Sequence, residues 1–372
     1  MNPIDETMIH PDAYIRVGDS DSRQSDMAAA AAALETEIDQ LLRDWRASAI
    51  AKTRFLSFAG GGLAAVHGVC VLCDMFSGDR AGYREWRSRQ LRGVSGTSFG
   101  AIVAVLVCAG MDWEEAFGCI LGVFWDGVCV EEIASDVCRT ALTSTPRDAL
   151  VQKTIVDAKM RDLCTRAFGN PNVTFRDAWL LTNIRLVIVC CDIKTGSNVE
   201  LCVEMTPDMR IADAMRASCA IPLVVPAVGL DGMLLVDGGM INNFALSFDD
   251  AESTLFLSTR FEGLPREPGR HPDEISLHGA YEASKILIDC QHFTMRRLGA
   301  IPPQNIVMCP RVFGFLSFPF ESAAHALSAF KLECSRSILR AFARDWIVGL
   351  SAMCIVFARY PAVLSRVLSD RQ

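Results

Sequence analysis

The sequence predicts an α/β fold, a three-layer α/β/α sandwich with a mostly parallel central sheet. Three observations carry that expectation. From about Thr53 onward, short apolar runs alternate with helix-like segments, the order that covers a parallel sheet on both faces. The runs are continuously apolar, as strands buried on both sides are. And 51% of the 372 residues are hydrophobic, enough for one large core with appendages or for two ordinary domains.

Taken in order, residues 1–25 are polar and read as a disordered leader. Residues 26–50 read as a helical appendage. Asp26 precedes an alanine run, and Leu34, Ile38, Leu41, Leu42 and Trp45 recur on one helix face. "TRFLSFA" (53–59) is the first strand and Leu63–Phe76 the helix after it; Leu91–Ser95 is the second strand and Ser98–Ala109 the second helix. Asp112 and Glu115 have capping-box spacing and open a third helix. "RLVIVCC" (185–191), "VELCVEM" (199–205), "MLLV" (233–236), "TLFLS" (254–258) and "NIVMC" (305–309) supply the remaining strands. The domain therefore runs over residues 51–310, with the charged segment "RFEGLPREPGRHPDE" (260–274) as a linker or lid.

Residues 311–372 read as a C-terminal helical region. Arg336, Arg340 and Arg344 share one helix face, and "WIVGLSAMCIVFA" (346–358) follows. Thirteen apolar residues are too few to span a bilayer. A basic, Trp-bearing amphipathic segment fits a membrane interface, and equally a helix pair packed on the sheet.

The formal net charge of -8 argues against a nucleic-acid partner, which needs an excess of Lys and Arg over phosphate. Cysteines are numerous, 15 in all, but Cys108, Cys119, Cys190, Cys191 and Cys354 sit inside apolar runs, as buried thiols do in a reducing compartment. The first residues lack a basic and then apolar secretory pattern, so a cytoplasmic location is expected, with peripheral membrane contact through the C-terminal region. Oligomeric state leaves no signature.

"GVSGTSFGAIVAVLVCAG" (93–110) is long and uncharged enough to resemble a membrane span, but its first third is glycine, serine and threonine, poor helix material. It holds Gly96-Thr97-Ser98-Phe99-Gly100, a G-x-S-x-G between a predicted strand and a predicted helix. That placement is what a nucleophile elbow requires: a strained turn that exposes the serine Oγ above a helix N-terminus. Glycine-rich turns also produce the pattern by chance, so by itself it leaves both readings open.

Gly60-Gly61-Gly62 follows the first strand and also reads two ways. Gly60-x-Gly62-x-x-Ala65 fits a dinucleotide fingerprint, which needs an acidic residue at the end of a second strand about 20 positions on. Asp79 and Glu85 are near that distance without a convincing strand before them. Alternatively the glycine N–H groups form an oxyanion hole for Ser98. Asp237-Gly238-Gly239, followed by Asn242-Asn243, stands after "MLLV". Alone it is most simply a tight Asp-Gly turn.

Together, in this order, the three motifs resemble the patatin-like phospholipases, serine lipid acyl hydrolases that use a Ser–Asp dyad. "VSGTSFGAIVAVLVCAGM", "VIVCCDIKTGSNVEL" and "IADAMRASCAIPLVVPAVGLDGMLLVDGGMINNFAL" extend the likeness over roughly residues 53–310. The resemblance implies Ser98 as nucleophile, Asp237 as its base, Gly60, Gly61 and Gly62 as the oxyanion loop, and Gly96, Gly100, Gly238 and Gly239 as the residues that shape the turns. It implies a lipid substrate at a membrane surface and no cofactor or metal. The chain departs from the family pattern at Ala64 and Ala65, where a basic residue and a glycine are usual, at Cys70 for another glycine, and at Ala245 for proline. These departures bear on the oxyanion loop and hence on rate; the alternatives they raise are a catalytically weak module that binds lipid or a partner, and a Ser–Asp–His esterase. His271, His278, His292 and His325 follow Asp237, but none sits at a strand end, and His67 reads as a packing or surface residue. Cys70 and Cys73 form a lone C-x-x-C, which without a second pair reads as core.

Overall fold

A computed structural model describes residues 36, 38–124, 153–222, 225–243, 246–259, 306–309, 327, 328 and 330. Among these, one sheet is built from β1 (Phe55–Phe58), β2 (Gly93–Thr97), β3 (Arg185–Asp192), β4 (Ser197–Cys202), β5 (Val228–Leu230), β6 (Met233–Asp237), β7 (Thr254–Thr259) and β8 (Ile306–Cys309). The order is β5-β6-β3-β2-β1-β7-β8, with β4 paired to β3. Strands β3, β2, β1, β7 and β8 run parallel. The helices are α1 (38–52), α2 (His67–Met75), α3 (Arg80–Gln90), α4 (Phe99–Ala109), α5 (Trp113–Phe124), α6 (Lys153–Phe168), α7 (Phe175–Thr182) and α8 (Ile211–Ser218). The result is the α/β architecture expected, a mostly parallel sheet between helices.

The continuous apolar runs have their physical cause in this arrangement. Leu56, Phe58, Val94, Leu186, Ile188, Leu255 and Leu257 face the main core, while Val187 and Val189 face the opposite side with Phe55 and Phe248. A strand with two buried faces has little room for a charge along its middle, and β3 carries its charges, Arg185 and Asp192, only at its ends. Helix α4 is buried on nearly every side, which explains why its sequence resembles a membrane span. No described helix is long and apolar enough to cross a membrane.

Several expectations need correction. The helix expected over Leu63–Phe76 begins as a 3-10 turn, Gly62–Val66, before α2. Strand β2 runs over Gly93–Thr97 rather than Leu91–Ser95, because Leu91 caps α3. Helix α3 carries no clear apolar periodicity in the sequence, since only Tyr83 and Trp86 are buried on it. Its start is capped by Asp79, which accepts from the Gly82 N–H at 3.0 Å, and Glu85 lies within it. Neither acid ends a strand, so the dinucleotide reading of Gly60–Gly62 fails. The capping box at Asp112 is present: Asp112 N–H donates to Glu115 Oε2 at 3.0 Å, and Glu115 N–H donates to Asp112 Oδ1 at 3.2 Å.

Helix α1 packs through Ile38 and Leu42 into the main core. Trp86 Nε1 donates to Ile50 O at 3.1 Å, Gln90 Nε2 donates to Thr53 O at 3.0 Å, and Arg46 pairs with Asp74. The leader 1–25, the segment 260–274 and the arginine face at 336–344 lie outside the described residues.

The antiparallel strands position the site. Val189 pairs with both Thr97 of β2 and Glu200 of β4, and Cys190 pairs with both Asp237 of β6 and Val199 of β4. A strand has two edges, and β4 takes one of them along this stretch. Strands β2 and β6 therefore share the other edge, running toward each other, and their last residues meet at neighbouring positions of β3.

Candidate active site

Ser98 follows the last residue of β2 and caps α4 with φ 53° and ψ -131°, a conformation strained for any residue with a Cβ. The turn closes because Gly96 and Gly100 lack side chains. A Cβ on Gly96 would collide with the Gly100 carbonyl, and one on Gly100 with the carbonyls of Phe58 and Ala59. The Ser98 side chain makes no capping bond to its own helix. Instead its Oγ donates to Asp237 Oδ2 at 2.7 Å.

Asp237 is 5% exposed and Ser98 9%. The other carboxylate oxygen, Oδ1, accepts the Gly239 N–H at 2.8 Å. Gly238 lets the turn run against the Val189 carbonyl, which a Cβ would strike. Burial pushes the Asp237 carboxyl up to about 6, and the hydrogen bonds from Ser98 and Gly239 hold it from rising further. Such a group is ionised at neutral pH, yet basic enough to accept a proton from a hydroxyl under attack.

The glycine triplet lies against this pair. A Cβ on Gly60 would stand 2.9 Å from Ser98 Cβ and 2.5 Å from Asn243 Oδ1. Gly61 and Gly62 take φ of 152° and 58°, and their N–H groups have no partner among the described residues. Gly60 differs from expectation. Its N–H donates to Asn243 Oδ1 at 2.9 Å, and Asn243 Nδ2 donates back to the Gly60 carbonyl at 3.4 Å. A committed donor cannot serve an oxyanion, so Gly60 belongs to the support of the loop and not to its donors. The Phe99 N–H, first in α4, is likewise unpartnered among the described residues, and the residue after an elbow nucleophile is a usual oxyanion donor.

Three contributors were not assigned a role from sequence: Phe99, Asn243 and Ser218. Asn243, 1% exposed, ties the D-G-G segment to the glycine loop. Ser218, fully buried at the end of α8, accepts the Ser98 N–H at 2.8 Å and donates to Val189 O at 2.6 Å. The quoted stretches "INN" and "RAS" contain both residues, but nothing in their spacing says that they reach Gly60 and Ser98.

His67 is fully buried, with Nδ1 2.7 Å from the Ala64 carbonyl, so it packs inside the domain. The later histidines lie outside the described residues. Cys70 and Cys73 are both buried in the main core. Among the described residues no group of three or more His, Cys, Asp and Glu side chains is placed to hold a metal ion.

A family model described as patatin-like phospholipase matches residues 56–248. Among solved structures, VipD from Legionella pneumophila aligns at 16% identity and a TM-score of 0.44, covering 79% of this chain and 67% of VipD. The type III effector ExoU aligns at 15% identity and a TM-score of 0.35, covering 79% of this chain and 53% of ExoU. ExoU solved with SpcU from Pseudomonas aeruginosa aligns at 18% and 0.32, covering 67% of this chain and 52% of that one. The chain thus spans two thirds of VipD and about half of ExoU. No curated protein matches significantly.

Proposed function

We propose a function on one premise: the chain belongs to the patatin-like phospholipase family. Membership makes it a hydrolase of the lipase and phospholipase class. Beyond that, we assign hydrolysis of lipid acyl esters to a Ser98–Asp237 dyad. The 2.7 Å hydrogen bond from Ser98 Oγ to the buried Asp237 carboxylate is the observation that supports this most directly.

In this reading Asp237 accepts the Ser98 proton as Oγ attacks the ester carbonyl. The carbonyl oxygen becomes an oxyanion, which the N–H groups of Gly61, Gly62 and Phe99 are available to receive. The α4 N-terminus adds the positive end of its dipole. Collapse of the intermediate expels the alcohol, which takes its proton from Asp237, and leaves an acyl-Ser98. Water, deprotonated by Asp237, then attacks the acyl carbon; the bond to Ser98 Oγ breaks, Oγ takes the proton back from Asp237, and the fatty acid is released. The substrate is drawn from a membrane surface, and the C-terminal region 311–372 is assigned to peripheral contact with it.

One observation favours a rival, a module of low catalytic power. Ala64 and Ala65 are buried beside the glycine loop where the family pattern has a cation and a glycine, so no side-chain charge at those positions assists the oxyanion. Purified protein should hydrolyse acyl esters and be captured at Ser98 by a fluorophosphonate probe, with both lost in folded Ser98→Ala and the hydrolysis lost in Asp237→Asn. Membrane binding with no ester cleavage and no capture gives the rival precedence.

A further inference from the structure

We infer that Ser218 is a positioning residue, holding the Ser98 backbone in its strained conformation so that Oγ meets Asp237. This rests on the reading of Ser98 as nucleophile. Ser218 is the last residue of α8 and is fully buried. Its hydroxyl has a single proton, donated to Val189 O at 2.6 Å, which leaves a lone pair for the Ser98 N–H at 2.8 Å.

Val189 is the β3 residue opposite Thr97, where β2 ends. At that point the chain turns out of the sheet with φ 53° at Ser98. A relay from Ser98 N–H through the Ser218 hydroxyl to Val189 O thus links the turned-out backbone to β3. A hydroxyl suits the position because it donates and accepts from one atom; a methyl or a thiol leaves one or both backbone groups poorly paired in a site that water does not reach.

The same turn holds the other half of the pair. Asp237 N–H donates to Ala220 O at 3.0 Å, two residues after Ser218. The short turn at the end of α8 therefore fixes the backbones of both Ser98 and Asp237, one through a side chain and one through a carbonyl. Helix α8 is itself anchored by Arg216, whose guanidinium lies 2.7 Å from Asp157 on α6.

Losing one partner of a buried hydrogen-bonded pair corresponds to about tenfold or more in rate when the geometry it sets is needed in the transition state. The test measures fluorophosphonate capture rates, kcat and KM on a soluble acyl ester, and Tm for the wild type, Ser218→Ala, Ser218→Cys, Ser218→Thr and Ser258→Ala. Ser258, a buried hydroxyl without a hydrogen-bond partner among the described residues, serves as control. We expect capture and kcat to fall together by about tenfold or more in Ser218→Ala, with KM changed by less than about threefold. Ser218→Thr should recover most of the rate, Ser218→Cys should remain slow despite its similar volume, and Ser258→Ala should match the wild type.

Capture by Ser218→Ala, or by Ser218→Cys if the alanine variant does not fold, at the wild-type rate overturns the positioning role alone. So does an equal loss in the threonine and alanine variants that follows their loss of Tm. A folded wild type that the probe does not label overturns the reading of Ser98 as nucleophile and this inference with it.

Discussion

Thr97 and Asp237 end strands that run toward one another along one edge of β3, opposite Val189 and Cys190 respectively. The next residue after Thr97 is Ser98, so the hydroxyl and the carboxylate need no intervening side chain to touch. Had β6 run parallel to β3, its C-terminal carboxylate would have left the sheet in the same direction as β2 instead of facing it. The close approach of this pair is a property of antiparallel pairing at the one place where β3 outruns β2.

With Asp237 as the base of the proposed dyad, its raised carboxyl is expected to set the acid limb of activity. Because Asp237 acts as a base only when ionised, kcat/KM for a soluble ester should fall below about pH 6, tenfold per unit in the limit. A profile flat down to pH 4, with the protein folded, contradicts the assignment of Asp237 as base.

The same shift has a consequence for stability that needs no substrate. A carboxyl held at about 6 in the folded state and 3.8 in the unfolded chain binds more protons when folded. Its contribution is therefore present below pH 4 and lost as pH rises through 6. Wild type should lose about 3 kcal/mol of stability from this group between those limits, following 1.36 kcal/mol per unit. Denaturant titrations across pH 4–7 should show the step, and Asp237→Asn should lack it.

Gly96→Ala tests the closure of the elbow. The new methyl meets the Gly100 carbonyl and Ala101 Cα, both backbone, so no side-chain rotation relieves it. A loss of roughly 3 kcal/mol or more, or failure to fold, is expected in thermal melts. A Gly96→Ala protein with wild-type Tm and activity cannot have the turn described.

Asn243→Ala removes the side chain that holds Gly60 on both its N–H and its carbonyl. Freed, the glycine loop should misplace the Gly61 and Gly62 N–H groups. We expect kcat to drop about tenfold to a hundredfold with smaller change in KM. Unchanged kcat separates the loop from catalysis.

Asp112, buried at the start of α5, accepts from Arg80 Nε at 2.6 Å, Arg84 Nη2 at 2.8 Å and the N–H groups of Glu114 and Glu115 at 3.2 Å. Asp112→Ala should cost about 2–4 kcal/mol by loss of a helix cap and of a buried acceptor for two guanidinium groups. It lies away from Ser98, so specific activity of the folded fraction should be kept, a result that activity normalised to folded protein can check.

Much of this is legible in the sequence. Apolar runs marked β1, β3 and β7 because a strand buried on both faces has little room for charge along its middle. Gly96 and Gly100 flanking Ser98 marked a candidate elbow, since steric closure acts over five consecutive residues and is written locally. Helix α3 was hidden because a mostly exposed helix leaves few apolar positions to count: only Tyr83 and Trp86 are buried on it. What the tertiary structure alone decided is the wiring between distant segments. Ser218 is 120 positions from Ser98, and Asn243 is 183 from Gly60. The direction of β6, the commitment of the Gly60 N–H and the rise in the Asp237 carboxyl arise from which backbone and side-chain groups are brought together and shut away from water. A linear sequence specifies those neighbours only through the folded chain.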